Sequence, residues 1–413
     1  MRARLRIISI AALSIGILLR LPAHAAPSQR FTLDAAIQRA LHEHPKLAAA
    51  REQTTAARAR IKQAGTLEDP MIEAMLIERG DIDMEGTGFG VSQSIPFPWK
   101  LRHQRQQARH AADRQAAEAS MTASDLRAEV QIAFFQLLFL DQQLGLERSL
   151  QQLLEHYTAV AETRYATGEA LFGDPLKAGS EAAARGARSI ELTRDRAAVV
   201  ARLTYLLALR PGTAFSLVAP KGLVPFRWSR ADVIARIEGD RPPQLRKAEA
   251  QVGETKSGVA VARAGYGPDL RASANYMRRG EGTVSANLGL SIPLYFGKHR
   301  AQVHEAEALW RASVHEREDT ALRLRSEALQ LYERMQAART VAGRYSRDVM
   351  PRAEAVVRSA ETAYQSQKTE FVSLIDAIRQ QREYQLTYRQ AVTEYEQLRA
   401  ELERLLGFTG ENP

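Results

Sequence analysis

The chain contains no cysteine. That excludes disulfides, thiolate metal sites, a cysteine nucleophile and a lipid-modified N-terminal cysteine. Aromatic residues are sparse at 7%, while Ala, Gln, Arg, Glu and Leu crowd long stretches, a bias that favours long helices. Proline is absent from 101–167 and from 299–350. Beyond Leu19 no apolar run approaches the length of a membrane-spanning helix, which needs about 20 residues. There is no Gly-rich phosphate loop, no Gly-x-Ser-x-Gly and no His-Glu-x-x-His. The sequence therefore reads as a non-enzyme without a cofactor, and energy for any transport must come from a partner. What is present is ordinary for a folded chain: 413 residues, 45% apolar and 25% charged.

Residues 1–25 read as an export signal. Arg2, Arg4 and Arg6 form a basic start, Ile7 to Leu19 an apolar core, and Ala23-His24-Ala25 a small-x-small cleavage site. An uncleaved anchor is the alternative. Cleavage removes four arginines and no acid, lowering the formal charge from +9 to +5. If the exported protein spans a membrane, it must do so with strands.

The rest of the chain repeats itself. Pro45-Lys46-Leu47 returns as Pro243-Gln244-Leu245, Gln53 as Gln251 and Lys100 as Lys298, all at an offset of 198. Ser94-Ile95-Pro96-Phe97 returns as Ser291-Ile292-Pro293-Leu294 at 197. Tyr165 returns as Tyr364, Phe172 as Phe371 and Leu206-Leu207 as Leu405-Leu406 at 199. A near-constant offset along the chain is the signature of duplication. The expected division is a first repeat over 26–210, a linker over 211–227, a second repeat over 228–408 and a tail over 409–413.

Each repeat is expected to open with a helix, capped by Thr32 before Leu33 to Ala64 with a break at Pro45, and by Ser229 before Ala231 to Ala264. Two strands follow in each, over about 70–96 and 269–293. In Thr283 to Ile292, Val284, Ala286, Leu288 and Leu290 point one way, and Ser285, Asn287 and Gly289 the other. Leu270 to Arg278 alternates likewise, as do Phe89, Val91 and Ile95, whereas Met71 to Glu78 alternates poorly. Long helices are expected over 101–167 and 175–209, and over 299–363 and 373–407. Leu126, Val130, Ala133, Leu137, Leu140 and Leu144 mark one coiled-coil seam; Leu324, Ala328, Leu331, Met335, Ala338 and Val341 mark another. A helix over 101–167 reaches about 100 Å.

Strands of about nine to eleven residues with one apolar face match tilted membrane-crossing strands. Four per chain are too few, since the smallest transmembrane barrel has about eight and an open edge in lipid leaves backbone groups unpaired. Either the strands form a soluble sheet, or several chains pool strands into one barrel. A barrel at one end of long paired helices is a tube.

The order helix, hairpin, Ser-Ile-Pro-Phe, long helix, Tyr165-Ala166-Thr167-Gly168 turn and return helix, all duplicated, resembles the outer-membrane efflux ducts, the TolC-like family. Phe31-Thr32-Leu33-Asp34-Ala35-Ala36 followed by His44-Pro45 resembles the family's start. Glu68-Asp69-Pro70-Met71 and Phe97-Pro98-Trp99-Lys100 are most similar to its heavy-metal efflux branch, the CzcC-like proteins. The resemblance implies a mainly α fold with a small β part. It implies a homotrimer whose α-helical barrel continues into a twelve-stranded transmembrane β-barrel in outer-membrane lipid, with a long periplasmic extension. The implied partners are a periplasmic adaptor and an inner-membrane pump of the RND type. The implied function is an exit duct for heavy-metal cations; multidrug export or type I protein secretion by the same fold stays open, as does a periplasmic coiled-coil scaffold.

The resemblance also suggests sites. The helix tips that meet the adaptor include Tyr165, Thr167, Gly168, Tyr364, Gln367 and Lys368. The periplasmic constriction takes in Asp376, with Asp174 nearby and Ser373 where the family carries a second acid; a plain solvated helix-start carboxylate is the alternative. Val284, Ala286, Leu288 and Leu290 form the lipid-facing side of a strand. Four further features have bland alternatives. The acidic segment Glu78 to Glu85 partly resembles a calcium loop but lacks its later ligands. Met71, Met75 and Met84 are soft donors or strand packing. His42, His44, His103 and His110 lack the i, i+4 spacing of a zinc pair, so no metal site is assigned. The basic tract Lys100, Arg102, Arg105, Arg109 and Arg114 meets headgroups or solvent; nucleic acid is not expected, because aromatics are not interleaved with it.

Overall fold

The computed structural model describes residues 29–77, 86–168, 172–220, 222–239, 242–278, 282–366 and 368–408. The export signal, the acidic segment Glu78 to Glu85 with Met84, Gln367 and the tail 409–413 lie outside them.

The described chain is mainly helical. A short strand β1 (Gln29–Phe31) leads into α1 (Leu33–Glu43) and α2 (Pro45–Gln63). The Thr32 hydroxyl accepts from the Ala35 N–H at 3.3 Å and caps α1. β2 (Met71–Ile77) and β3 (Gly86–Pro96) follow, then α3 (Pro98–Ala166) and α4 (Gly173–Leu206). After β4 (Phe215–Leu217) the series recurs as α5 (Arg230–Gly239), α6 (Pro243–Ala264), β5 (Asp269–Arg278), β6 (Thr283–Ser291), α7 (Phe296–Arg344), α8 (Met350–Gln365) and α9 (Phe371–Leu405). Ser229 and Asp232 cap α5 reciprocally, with Asp232 accepting from the Ser229 N–H at 2.9 Å and Ser229 Oγ accepting from the Asp232 N–H at 3.3 Å. α3 starts at Pro98, three residues earlier than expected, because a first-turn proline loses no helical hydrogen bond there.

β2, β3, β5 and β6 form one antiparallel sheet in that order. Its register lines up the apolar residues. Ile72, Val91, Ala274 and Ala286 share one row, and Ala74, Phe89, Tyr276 and Val284 the next. The intervening rows are Met71, Ser92, Ser273 and Asn287, and Glu73, Gly90, Asn275 and Ser285. β2 forms despite its poor alternation because the better-patterned β3 fixes its register. β1 and β4 pair separately, in parallel, joining the chain's beginning to the inter-repeat segment.

Three buried clusters hold the helices. One joins α1, α3 and α4 around Phe134, Leu137 and Leu203; the second joins α5, α7 and α9 around Met335, Tyr395 and Leu402. The third joins the far ends of α3, α4, α8 and α9 around Leu154, Ala178, Phe371 and Leu374. The inter-repeat segment is fastened to α9. Tyr395 Oη donates to the Val224 carbonyl at 2.7 Å and accepts from the Phe226 N–H at 3.0 Å. Trp228 stacks on Phe408 at 4.7 Å.

The first expected seam is buried throughout, but the second requires a correction. Val341 is 40% exposed, and Ala342, at 1%, takes the seam position. Leu324, Ala328, Leu331, Met335, Ala338 and Ala342 then match Leu126, Val130, Ala133, Leu137, Leu140 and Leu144 at a uniform offset of 198. Beyond it the offset is 199, from Tyr165 and Tyr364 onward. The expected continuous helix over 299–363 is interrupted between these points by a π-helical turn, Tyr345–Val349. A π turn accommodates one added residue without rotating the flanking helices out of phase. The second repeat thus carries one more residue here than the first, and Tyr345–Val349 absorbs it.

Deleting Ser346 should therefore convert the turn to plain α-helix, leave both flanking seams in phase and change the unfolding temperature little. Deleting exposed Gln142 from α3 should rotate everything beyond by about 100° and unfold the hairpin. Circular-dichroism melts compare the two; equal damage from both would refute the phase argument.

Candidate functional site

Two regions hold the expected functional residues: the sheet, and the far ends of the long helices. In the sheet, Val284, Ala286, Leu288 and Leu290 form one side of β6, and the register extends that side across β5 and β3. Leu288 is 80% exposed and Val284 75%, so nothing among the described residues covers this face. β2 and β6 each have a partner along one edge only among the described residues.

The sequence reading missed a set of exposed aromatics where strands and helices meet. Trp99, Tyr266, Tyr295 and Phe296 are all exposed there. The signal was available: aromatics are scarce in this chain, yet these four lie within a few residues of a strand end. Lys100 ties the same junction together, donating to the Gly267 carbonyl at 2.8 Å and to Asp269 at 2.7 Å.

At the other end, Gly168 takes a positive φ of 78° and closes α3, with its N–H donating to the Tyr165 carbonyl at 3.0 Å. Thr167 Oγ1 donates back to the Arg164 carbonyl at 3.0 Å. Tyr165, Thr167, Gly168 and Lys368 lie on the surface. Tyr364 does not. It is buried against Tyr157 and Phe371, with ring centroids at 6.2 and 5.6 Å, and Arg164 lies over its ring at 4.6 Å. Its side chain braces the tip internally. Burial also raises the Tyr157 phenol above its ordinary pKa.

Ser373 and Asp376 line a common groove of about 550 Å³ between α8, α9 and the π turn, together with Asp348, Arg352 and Val356. Asp174, on α4, is not part of it. Asp376 is exposed but has a cation within its own chain: Arg379 donates to it at 3.3 Å. Arg379 also pairs with Glu181 of α4. Glu181 meets Arg185 at 3.5 Å, Arg185 meets Glu147 of α3 at 3.8 Å, and Glu147 pairs with Arg382 of α9. Alternating charges thus run from Asp376 to the fully buried Glu147, linking α9, α4 and α3. Burial lowers the Arg382 pKa.

The remaining candidates take structural positions. His44 is buried, caps α2 by accepting from the Lys46 N–H at 3.2 Å, and packs edge-on to Tyr205; burial lowers its pKa. His110 sits over Gly253, where an added Cβ would come within 2.6 Å of its ring, so the glycine lets α6 approach α3. Among the described residues no three His, Asp or Glu side chains gather as metal donors. Arg114 of the basic tract pairs with Glu254 at 2.9 Å.

The family model described as outer membrane efflux protein matches the chain twice, once per repeat, over residues 36–209 and 239–408. The chain belongs to that family. It is an outer-membrane efflux channel. It is similar to the cobalt-zinc-cadmium resistance protein CzcC of Cupriavidus metallidurans, at 22% identity over 91% of this chain and 90% of that protein. Among solved structures it resembles the outer-membrane channel OprN, with a TM-score of 0.78 at 20% identity, covering 91% of this chain and 89% of OprN. It also resembles CusC, with a TM-score of 0.76 at 15% identity and 91% of both chains covered.

Replacing Arg382 and Arg185 together by Met should strand Glu147 as an uncompensated buried charge and cost about 3–5 kcal/mol of stability. Replacing exposed Arg379 by Met should cost much less. Denaturant unfolding of the two variants measures the difference; equal small losses would show that the buried link adds nothing.

Proposed function

We propose that the channel is the exit duct of a tripartite efflux system, receiving heavy-metal cations from a periplasmic adaptor and an inner-membrane pump of the RND type. The observation that carries the reading is a four-stranded sheet with one continuous apolar face and two edges that have no partner among the described residues. In lipid those edges must be paired, and three copies give twelve strands, enough to close a barrel. The exposed aromatics at the strand–helix junction lie where a barrel meets headgroups, as membrane aromatic girdles do. The long helices then extend through the periplasm, with Thr167, Gly168 and Lys368 toward the adaptor. Ser373 and Asp376, with Asp174 beyond the first turn, surround the narrow end. Arg379 offsets part of the Asp376 charge there, so the constriction is milder than a ring of unpaired acids. Heavy-metal cargo is supported by the likeness to a cobalt-zinc-cadmium resistance protein along nearly the whole chain.

Removing the protein from its host should lower tolerance to Co²⁺, Zn²⁺ and Cd²⁺ several-fold and leave tolerance to organic drugs unchanged, with recovery when the full chain is restored. Sensitivity to drugs alone would reassign the cargo. The face assignment has its own check. Arg at Leu288 should cost about 2–4 kcal/mol of barrel stability near the midplane, and Arg at Asn287 far less. Heat-modifiability on gels after reconstitution reads this out, and equal losses would reverse or void the register.

A further inference from the structure

The sheet has a second face, and thioethers stand on it. Opposite the apolar side, the rows carry mostly polar residues and glycine. Met71, Met75 and Met277 depart from that pattern. Lipid and the apolar row lie on the other side of the sheet, so neither accounts for a methionine here. Met75 is 51% exposed and Met277 is half-buried, so a passing solute can reach both.

Two of the three are brought together. Met75, Gly88 and Met277 follow one another across β2, β3 and β5 in a single row. Strands two apart are separated by about 10 Å at the backbone. Each thioether sulfur stands two bonds beyond its Cβ, on an unbranched and adaptable side chain. Whether two such sulfurs can meet depends on the residue between them, and that residue is glycine. A Cβ placed on Gly88 would lie 3.7 Å from Met75 Cβ and 3.8 Å from Met277 Cα, in ordinary contact with both. A side chain there would hold the thioethers apart. Without one, both can lean over the bare backbone of β3. Met71 has Ser92 and then Ser273 beside it in its row, so it has no thioether to pair with.

The adjoining row supplies negative charge. Glu73, Gly90 and Asn275 follow one another there, and the Asn275 side chain lies across Gly90 in the place of a Cβ. Glu73 has no cationic partner among the described residues. A cation moving outward along this face is drawn by a carboxylate and met, one row farther on, by two neutral sulfurs.

We propose that Met75 and Met277 of each copy form a two-thioether contact for a soft d¹⁰ cation of the Cu(I) or Ag(I) class, near the outer mouth of the lumen. This rests on the pooled barrel proposed above, which turns this face inward, and it goes beyond the cargo proposed there. Thioethers select soft cations, whereas Co²⁺ is better served by nitrogen and oxygen donors. Neutral sulfurs also hold a cation less firmly than thiolates do. That suits a conduit, whose sites must bind well enough to fill and weakly enough to empty. No thiol competes, because the chain has no cysteine.

Single-channel recording of the full-length protein in planar bilayers, in nitrate salts that keep silver dissolved, tests the pair. Ag⁺ should interrupt the current at concentrations where Co²⁺ does not. Met75→Leu and Met277→Leu conserve volume. Each should raise the half-blocking Ag⁺ concentration at least roughly tenfold, since losing even an outer partner of a metal site costs that much. The double variant should resemble the singles, because one sulfur does little without the other. Met75→Gln and Met277→Gln suit a wet surface, guard against a folding defect in the leucine variants and should behave alike. Met71→Leu, on the same face, should leave the block unchanged. Unblocked conductance confirms that each variant is folded. Block that survives the substitutions at 75 and 277, or that Met71→Leu weakens equally, overturns the pair and leaves the barrel standing. Conducting channels with no response to Ag⁺ do the same. A chain that forms no channel overturns the barrel and the pair together, whereas the cargo reading is tested separately by metal tolerance.

Discussion

Backbone groups cannot be left unpaired in lipid, and much of this structure follows from that constraint. β3 and β5 satisfy each other and their outer neighbours, but β2 and β6 each keep one row of N–H and C=O groups without a partner among the described residues. A sheet of four strands with an uncovered apolar face is unstable alone in either solvent. In water Leu288 and Val284 are exposed at a cost, and in lipid the edges are. Closure with further copies removes both penalties together. The aromatics at the strand–helix junction and the Lys100 link to Asp269 fit the place where such a barrel gives way to helices.

The helical part is organised by duplication. Two seams run in register at an offset of 198, and the single added residue of the second repeat is taken up in a π turn beside Pro351, between the seam and the tip. The turn lies toward the helix ends, where Phe172 and Leu176 of the first repeat are exposed and their echoes Phe371 and Ile375 are buried, so the two halves differ there in both local geometry and surroundings. Buried charge follows the same division. Glu147, Arg185, Glu181 and Arg382 tie the two hairpins of one chain, and the corresponding positions of the other faces are neutral.

Period-two and heptad patterns made most of the architecture legible in advance. The clean alternation of Thr283 to Ile292 and the spacing of Leu126 to Leu144 depend on local periodicity, which a sequence displays directly. Met71 to Ile77 was the weak case because its strand is fixed by pairing with β3, a non-local cause. Val341 was misplaced for a related reason: a small residue, Ala342, fills the seam one position on, and size gave no signal. The burial of Tyr364 was invisible because it depends on how α8 and α9 sit against α3, whereas the Asp376–Arg379 pair, at i and i+3 on α9, was legible in the spacing, and only the link from Arg379 to Glu181 of α4 was not. The contrast between Phe172 and Phe371 is the most instructive. They are identical residues at equivalent positions, one exposed and one buried, and only the packed chain distinguishes them.

The number of chains in the detergent-solubilised particle tests the central claim most directly. Native mass spectrometry of the full-length protein extracted from outer membranes should give three chains per particle, released as single chains only on denaturation. A folded particle containing one chain, stable in the same detergent and with its sheet intact by circular dichroism, would contradict closure by pooled strands.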